Sequence, residues 1–463
     1  MNLIELLKSS DKTALIQGNK RITYADLLSD GLRLGGRLRN EGVGLGNNVL
    51  IFVPLSIELY TALIGVWSVG ASAIFIDFSR GARFISDSLD RLKPEIIVCD
   101  NITGLLRNIY SKMRRIPAIN HTERGDPAST NLVTNEQPAI LTFTSGSTGF
   151  PKIAVRTHGF LINQYNALRN HLDFNENHID LGTLPVFTLA NLASNITTLL
   201  PDKSYRSKID SAKLSKQMNR EGVTRAICSP ALMANLLKHG GLPHLKTAYL
   251  GGGPVFPSIL EKIRNDVDLH IVYGSTEAEP ISSVRWSDVS LEDRQNIASG
   301  GGLLVGQIVP EIECRIGEGK EILVSGETVL SGYLGGIGDD ENKIRTGGKI
   351  WHRTGDAGYI DSLNRLWLLG RVSQTINDEA GTLYPFCVDC ILDSHFGIRG
   401  AIIVQNRERV LVIEKGSARP DKVLGVLALQ KIFRIVEIKK IPMDNRHGAK
   451  VDYDKLKNIV RMD

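Results

Sequence analysis

Short apolar runs alternate with helix-length segments along the chain before residue 312. Val49–Val53, Ala73–Ile76 and Glu95–Cys99 are three of these runs, and each has the length of one buried strand. Strands that alternate with helices in this way favour an α/β fold. From about Ile312 the pattern changes to short β runs, which predict a small antiparallel subdomain, whereas the polar segment 116–137 is typical of a connecting loop.

The residues after Gly370-Arg371 have the composition of a separate, smaller unit. They contain strand-like runs at 401–404, 410–414 and 434–438 and helical runs at 385–394 and 421–430. About 90 residues are enough for a small domain. We therefore expect a large N-terminal domain of layered α/β sheets over residues 1–371, and a small mobile α+β lid domain over residues 374–463.

Four apolar runs of the first domain each stop at a turn of unusual composition. The runs and the residues that follow them are 181–184 before Pro185, 225–228 before Ser229, 247–250 before Gly251, and 270–273 before Gly274. Ligands of open α/β sheets bind beyond the carboxyl ends of parallel strands. The sequence therefore predicts one binding site at these four strand ends.

The segment Thr144–Ile153, rich in glycine and hydroxyl residues, follows the strand-like run Ala139–Phe143. Glycine allows a sharp turn and a close approach of the backbone to an anion, hydroxyl and N–H groups donate to phosphate oxygens, and Lys152 adds a positive charge. The segment predicts a phosphate-binding loop, with an ordinary flexible turn as the alternative. A Walker A loop would continue with Gly-Lys-Ser/Thr, whereas Phe150-Pro151-Lys152 follows the last glycine here, which disfavours a P-loop NTPase.

Composition excludes several other classes of protein. The 463 residues are 42% hydrophobic and 23% charged with a net charge of +5, and no stripe of Arg and Lys indicates nucleic-acid binding. No apolar stretch has the roughly 18 residues that span a bilayer, and no signal peptide is recognisable, so a cytoplasmic enzyme without a membrane span is expected. Of the five cysteines, Cys387 and Cys390 have zinc or redox spacing but no second pair, so we expect them to pack inside a helix over 385–392.

Three further motifs follow the glycine-rich loop in chain order. They are Tyr273-Gly274-Ser275-Thr276-Glu277, then Thr354-Gly355-Asp356 with Gly370-Arg371, and finally the segment 445–450. With the loop and the segment 22–26, this ordered set resembles the adenylate-forming superfamily of acyl-CoA synthetases, luciferases and adenylation domains of peptide synthetases, over nearly the whole chain. Within that superfamily the chain most resembles the bacterial olefin β-lactone synthetases, in the runs 184–187 and 381–385 and in Arg446-His447.

The resemblance implies a two-step reaction on a small-molecule carboxylic acid, with ATP and Mg²⁺. The acid attacks the α-phosphate of ATP and releases pyrophosphate, and a second nucleophile then displaces AMP from the acyl-adenylate. It assigns catalysis to Lys450, Thr276 and Glu277, with Glu277 also as the metal ligand. It assigns phosphate binding to Thr144, Ser145, Gly146, Ser147, Thr148, Gly149 and Lys152. It assigns adenine and ribose binding to Gly252, Gly253, Pro254, Tyr273, Gly274, Asp356 and Arg371. It assigns the acyl pocket to Phe187, Thr188, Ser229 and Ala278, with Asn191, Glu279 and Pro280 as further walls, and the hinge between domains to Ser373.

The second nucleophile is left open by the sequence. Many acyl-CoA synthetases carry a histidine after the aromatic residue at the position of Phe187, and Thr188 occupies that position here. One hypothesis is transfer of a fatty or 3-hydroxy fatty acyl group to a thiol, either of CoA or of the phosphopantetheine of an acyl carrier protein. A second is closure of a 3-hydroxy acid to a β-lactone by its own hydroxyl, and a third is a nucleotide-binding relative without catalysis.

Overall fold

The computed structural model describes residues 1–144, 151–202, 204, 209–405, 407–442 and 451–460. The elements up to the predicted phosphate loop are β1 (Thr13–Gln17), β2 (Lys20–Thr23), α1 (Tyr24–Asn40), β3 (Asn48–Phe52), α2 (Ile57–Ser68), β4 (Ser72–Phe75), α3 (Ala82–Leu92), β5 (Ile96–Cys99), α4 (Asn101–Leu106), β6 (Ala118–Asn120) and β7 (Pro138–Phe143).

The middle of the chain carries the strands that form the largest sheet. Its elements are β8 (Ile153–Thr157), α5 (His158–His171), β9 (Ile179–Gly182), α6 (Pro185–Ala193), β10 (Thr197–Leu200), α7 (Ser211–Glu221), β11 (Arg225–Cys228), α8 (Pro230–Leu237), β12 (Thr247–Leu250), α9 (Pro257–Leu260), β13 (Asp268–Ser275), β14 (Ala278–Arg285), α10 (Leu291–Ala298), β15 (Leu303–Ile308), β16 (Ile312–Ile316), β17 (Glu321–Gly326), α11 (Asp339–Asn342), β18 (Lys343–Thr346), β19 (Lys349–Ile360) and β20 (Arg365–Arg371).

The C-terminal part is shorter and mixed. Its elements are β21 (Ile376–Asp378), β22 (Gly381–Leu383), α12 (Pro385–Phe396), β23 (Gly400–Gln405), β24 (Glu408–Glu414), α13 (Pro420–Leu427), β25 (Arg434–Ile438) and α14 (Tyr453–Val460). No helix among the described residues combines the length and the apolar composition needed to cross a bilayer.

Helix starts follow from local capping chemistry. A Ser or Thr precedes several helices, and its side chain accepts a hydrogen bond from the backbone N–H three residues later. These capping residues are Thr23, Ser56, Thr157, Ser229 and Ser290. Each satisfies one N–H that the first turn of the helix leaves without a partner.

Two large sheets form the layers of the N-terminal part, within the described residues. One has six strands in the order β6-β5-β3-β4-β7-β8, and the other has fourteen, running from β16 through β15, β13, β12, β11 and β9 to β2. Apolar clusters fill the layers between each sheet and its helices. This confirms the predicted fold of layered α/β sheets, because the helices α1 to α9 connect mostly parallel strands.

Helices α1 and α2 pack closely because glycines face the contact. A Cβ on Gly31 would lie 2.3 Å from Ile64 Cγ2, and one on Gly35 would lie 2.0 Å from Ser68 Oγ. Both distances are far below van der Waals contact, so these positions exclude any side chain.

The predicted small antiparallel subdomain is present, because the pairs β16–β17, β17–β19, β18–β19 and β19–β20 are all antiparallel. Its strands continue the fourteen-stranded sheet, since β15 pairs with β20 on one edge and with β14 on the other. The predicted loop 116–137 also contains the short strand β6, which pairs with β5.

The C-terminal part contacts the large sheet through α12. Cys387 and Cys390 lie buried in this helix, as predicted, and burial raises the pKa of Cys387 to about 12. Asp393 accepts hydrogen bonds from the Ser258 backbone N–H (3.0 Å) and from the Ser258 hydroxyl (2.5 Å). The thiols therefore pack within the contact between the N-terminal and C-terminal parts of the chain. The two hydrogen bonds of Asp393 hold α12 against Ser258.

Candidate active site

The four strand ends that the sequence singled out are neighbours in the structure. Strands β13, β12, β11 and β9 lie side by side in this order and are parallel. Their carboxyl ends therefore share one edge, as predicted. One boundary differs: β9 ends at Gly182, and Pro185 begins α6 because proline suits the first turn of a helix.

The motif after β12 and the motif at the end of β13 adopt different shapes. Gly252 has a φ of +72° in the exposed turn after β12, which glycine adopts without strain. Gly274 and Ser275 are still part of β13, and Thr276-Glu277 form a two-residue turn into β14, where Ser275 pairs with Ala278. Tyr273 therefore lies on β13 just before the hairpin tip, and Glu277 lies in the tip itself.

Tyr273, Asp356 and Arg371 form one connected polar cluster. The Tyr273 hydroxyl donates to Asp356 Oδ2 at 2.8 Å, and Arg371 Nε lies 3.1 Å from Asp356 Oδ1. Asp356 and Arg371 are direct partners in the β19–β20 register, and Arg371 Nη1 also donates to the Thr354 carbonyl at 3.0 Å. Burial and the Asp356 carboxylate raise the pKa of Tyr273 well above its ordinary value, so Tyr273 is a hydrogen-bond donor here.

Glu277 and Lys152 meet at a second cluster, around Tyr333. The Tyr333 hydroxyl donates to Glu277 Oε1 at 3.2 Å. The ammonium groups of Lys152 and Lys343 lie 5.2 and 5.6 Å from the centre of the Tyr333 ring. Cation–π contacts of this kind hold cations near an aromatic face. The cluster therefore places two ammonium groups near one carboxylate.

Burial sets the charge state of this second cluster. It lowers the pKa of Lys152, and it lowers the pKa of Lys343 to about 8, with the Glu277 carboxylate acting in the opposite direction in both cases. Burial and the neighbouring Lys343 also lower the pKa of His352 to about 4. The imidazole of His352 is therefore neutral at neutral pH, although it lies near two lysines.

Lys152 is fixed by neighbours that the sequence did not indicate. Its Nζ donates to Asn342 Oδ1 at 2.6 Å, and its stem crosses Gly338, where a Cβ would lie only 2.4 Å from Lys152 Cδ. Sequence reasoning missed Tyr333, Lys343, Asn342 and His352. The one local signal was a tyrosine between glycines at 332–335, which is also common in ordinary turns.

The predicted phosphate loop lies between Thr144 and Lys152, and Lys152 belongs to the Tyr333 cluster. The Thr144 N–H donates to the Lys152 carbonyl at 2.9 Å, which closes the loop at its two ends. The Thr144 hydroxyl is buried and has no hydrogen-bond partner in the described part of the chain. Ser145, Gly146, Ser147, Thr148, Gly149 and Lys450 lie outside the described residues.

The predicted acyl-pocket residues have different environments. Phe187 packs in an apolar cluster with Ile227 and Tyr249 from the strand ends, whereas Thr188 and Ala278 are fully buried. Ser229 Oγ accepts the Leu232 N–H at 3.3 Å and caps α8. Their contact with a substrate stays a prediction.

Asn191 is not a pocket wall, which corrects one prediction. It is completely buried, and its amide contacts Asp180 and Arg225. Its turn of α6 faces the start of strands β9 and β11, away from their carboxyl ends. Ser373, the predicted hinge, lies in the short 3₁₀ turn Val372–Gln374 directly after β20.

An apolar cavity lies on the other side of α6. It has about 570 Å³ of space, including its open mouth, between α2, α5, α6 and the N-terminal turn Leu3–Leu6. Its walls include Tyr60, Trp67 and Leu189, and Gln164 is its main polar residue.

Comparison with known proteins gives a family match and several relatives of similar length. Residues 6–334 match the family described as AMP-binding enzyme. The olefin beta-lactone synthetase of Xanthomonas campestris pv. campestris is 28% identical, over 94% of this chain and 90% of that protein. The 2-succinylbenzoate–CoA ligase of Bacillus licheniformis is 24% identical, over 83% of this chain and 82% of that protein.

Solved structures share the fold. O-succinylbenzoate Coenzyme A synthetase from Bacillus subtilis, in complex with AMP, aligns with a TM-score of 0.81 at 20% identity, over 98% of this chain and 97% of that chain. The same enzyme in complex with ATP and magnesium ion aligns with a TM-score of 0.79 at 20% identity, over 96% and 97%. Because the family match spans most of its length, the chain belongs to the AMP-binding enzyme family and is an AMP-forming acid ligase.

Proposed function

We propose that this protein uses ATP to convert a 3-hydroxy acid into an acyl-adenylate, and then closes the acid to a β-lactone with release of AMP. The observation that carries the first step is the hairpin tip at 273–277, which joins two polar clusters four residues apart. One cluster contains Tyr273 and Asp356, and the other contains Glu277 and Lys152. Together they provide acceptors for a nucleoside and cations for phosphates.

The Asp356 cluster suits the nucleoside end of ATP. Arg371 and Tyr273 orient the Asp356 carboxylate, whose oxygens would accept hydrogen bonds from the ribose hydroxyls. The Tyr273 ring would lie against adenine, and the turn of Gly252, Gly253 and Pro254 would border its edge, with Gly274 below. The strict alignment of Asp356 with Arg371 across two strands makes this end of the site rigid.

The Glu277 cluster suits the phosphates and Mg²⁺. A magnesium ion prefers carboxylate and phosphate oxygens and would neutralise developing negative charge when bound. Glu277 can supply such an oxygen, Lys152 a positive charge, and the buried Thr144 hydroxyl a donor that has no partner in the described part of the chain. Thr276 would then approach the α-phosphate. The donor set therefore fits Mg–ATP, and complexes of the Bacillus subtilis relative with ATP and magnesium ion support the choice.

Lys450 is proposed to neutralise charge where the acid attacks the α-phosphate. We divide the chain for this purpose into residues 1–371, and a lid over residues 374–463 that turns about Ser373. The 3₁₀ turn around Ser373 is short and contains no buried residue, so few contacts would oppose rotation there. The anchoring contact of Asp393 with Ser258 would have to break in that rotation.

The similarity to olefin beta-lactone synthetases favours an intramolecular second step. Thr188 in place of a histidine at the acyl site points the same way, and Phe187 with its apolar neighbours suits a fatty chain. Transfer to the thiol of CoA, or to the phosphopantetheine of an acyl carrier protein, is the competing second step, since CoA ligases are also among the relatives.

Acid-dependent exchange of pyrophosphate into ATP tests the first step. We expect exchange with 3-hydroxydecanoic acid and with decanoic acid, and a β-lactone by mass spectrometry from the hydroxy acid alone, without CoA. Product that forms only when CoA is added would replace the β-lactone proposal by thiol transfer. No exchange with any acid of a broad panel would reject the proposal of an active ligase.

Substitution of Tyr273 by Phe tests the nucleoside end. The change removes one donor to Asp356, and a hydrogen bond to a charged group contributes about 1.5–3 kcal/mol. We expect the KM for ATP to rise at least roughly tenfold with a smaller change in kcat. Tyr359→Phe is the matched control, because the Tyr359 hydroxyl donates to the Gly301 carbonyl outside the site. An unchanged KM in Tyr273→Phe would contradict the ribose assignment.

A further inference from the structure

Three charged side chains meet around Tyr333, and none of them forms an ion pair with another. They are Glu277 and Lys152, which are half-buried, and Lys343, which is buried. In the described part of the chain, no ion pair joins either lysine to the glutamate. Charges that are withdrawn from water usually pair with each other, because an unpaired charge there is costly. Their separation therefore calls for an explanation.

Neutral groups hold Glu277 and Lys152 instead. The Tyr333 hydroxyl donates to Glu277 Oε1 at 3.2 Å, and Lys152 Nζ donates to Asn342 Oδ1 at 2.6 Å. A hydrogen bond to a neutral partner satisfies part of a charged group and leaves its charge in place. Both the carboxylate and the ammonium therefore keep their full charge for a bound ligand.

Tyr333 contacts the two kinds of charge with different parts of its side chain. Its hydroxyl meets the Glu277 carboxylate, whereas its ring attracts the ammonium groups of Lys152 and Lys343, which lie 5.2 and 5.6 Å from the ring centre. One tyrosine thus gives the carboxylate and the cations separate contacts. Phenylalanine at this position would keep the ring and lose only the hydrogen bond to Glu277.

Tyr333 and Asn342 are themselves fixed by their surroundings. Tyr333 is 5% exposed, its N–H donates to Asp339 Oδ1 at 2.9 Å, and its backbone pairs with Ala154 on β8. Asn342 Nδ2 donates to the Gly338 carbonyl at 2.7 Å, which turns its Oδ1 towards Lys152. Side chains that are locked in this way can hold their partners in one geometry.

We propose that Tyr333 and Asn342 are positioning residues that keep the Lys152 ammonium and the Glu277 carboxylate apart before the nucleotide binds. This inference rests on the proposed function, in which these two charges hold the phosphates and Mg²⁺. If they paired directly, each would neutralise the other, and Mg–ATP would have to break the pair. With neutral partners, Glu277 keeps oxygens for the metal, and Lys152 keeps N–H groups for phosphate because an ammonium has three donors.

The first test compares the binding of ATP with magnesium and the binding of AMP to Tyr333→Phe, both by calorimetry. We expect the Kd of Mg–ATP to rise by about 10–100-fold, the usual cost of losing a partner that orients a metal ligand. The Kd of AMP should stay close to its natural value, because AMP lacks the β- and γ-phosphates. Tyr359→Phe is the matched control, since the Tyr359 hydroxyl donates to the Gly301 carbonyl, and should bind both nucleotides like the natural chain.

The second test, Asn342→Asp, asks whether the partner of Lys152 has to be neutral. Aspartate has nearly the same shape and still accepts a hydrogen bond, so a purely structural role predicts little change. We expect the Kd of Mg–ATP to rise about tenfold, because the added carboxylate pairs with Lys152 and repels the phosphates. Asn235→Asp is the matched control, since Asn235 Oδ1 accepts a hydrogen bond from Lys238 Nζ at 3.4 Å on the exposed surface of α8.

The possible failures are distinct. A natural affinity for Mg–ATP in Tyr333→Phe or in Asn342→Asp would overturn the role of that residue. An equal loss of ATP and AMP binding in Tyr333→Phe would also overturn it, because the tyrosine would then support the fold and not the phosphate end alone. Absence of Mg–ATP binding by the natural chain would instead reject the proposed function itself.

Discussion

Replacement of Glu277 by Gln is expected to lower acid-dependent pyrophosphate exchange by about 10²–10³-fold. Removal of a single group that stabilises transition-state charge typically has an effect of this size. Gln keeps the volume and can still accept a hydrogen bond from Tyr333, but it lacks the charge that a hard cation prefers. It also removes the carboxylate that opposes the lowering of the Lys152 and Lys343 pKa values, so both should fall further.

Binding of ATP with and without magnesium separates these effects. In the natural chain, magnesium should strengthen ATP binding as followed by calorimetry, and Glu277→Gln should lose most of that increment. Glu327→Gln, an exposed glutamate in the turn after β17, is the control and should behave like the natural chain. A variant at Glu277 with natural exchange and a natural magnesium response would remove this residue from the site.

Replacement of Arg225 by Met is expected to destabilise the protein by about 3–5 kcal/mol, the usual result of removing one partner of a buried ion pair. Arg225 is fully buried and its Nη2 lies 3.1 Å from Asp180 Oδ2. It also contacts the Asn191 amide and the Asp173 carbonyl, and its guanidinium lies 4.5 Å from the centre of the Phe174 ring. Loss of the cation would leave the Asp180 carboxylate buried beside an amide alone.

A double substitution distinguishes loss of charge from loss of packing. When both charges are replaced by apolar residues, as in Asp180→Leu with Arg225→Met, no unpaired ion remains, and much of the stability should return. The measurement is the free energy of unfolding in urea for the natural chain, the single variant and the double variant. A loss below about 1 kcal/mol in Arg225→Met would show that the pair contributes little.

The sequence was sufficient to predict the parallel strand ends and several residues near them, because those signals are local. An apolar run followed by Gly, Ser or Thr marks the end of a buried strand whatever its neighbours are. The order of the motifs also predicted that Tyr273 and Asp356 belong to one site. They are in contact in the structure, although they are 83 residues apart in sequence.

Other features depend on pairings that no local pattern contains. Tyr333 joins Glu277 to Lys152 only because β8 and the segment after β17 meet across two sheets, where Ala154 pairs with Tyr333. Asn191 looked like a pocket residue because it lies on the same helix as Phe187. The Asn191 amide instead contacts Asp180 on β9 and Arg225 on β11, at the start of these strands. Neither charged residue is adjacent to Asn191 in sequence.

The hydrogen bond from Tyr273 to Asp356 also limits where the polypeptide can be truncated without loss of this contact. A fragment that stops at residue 334 contains every residue of the family match up to its end, yet it lacks β19 and β20. Such a fragment has the tyrosine but neither the carboxylate nor the arginine that orient each other across those strands. During translation, the proposed nucleoside half of the site is therefore incomplete until Arg371 has left the ribosome.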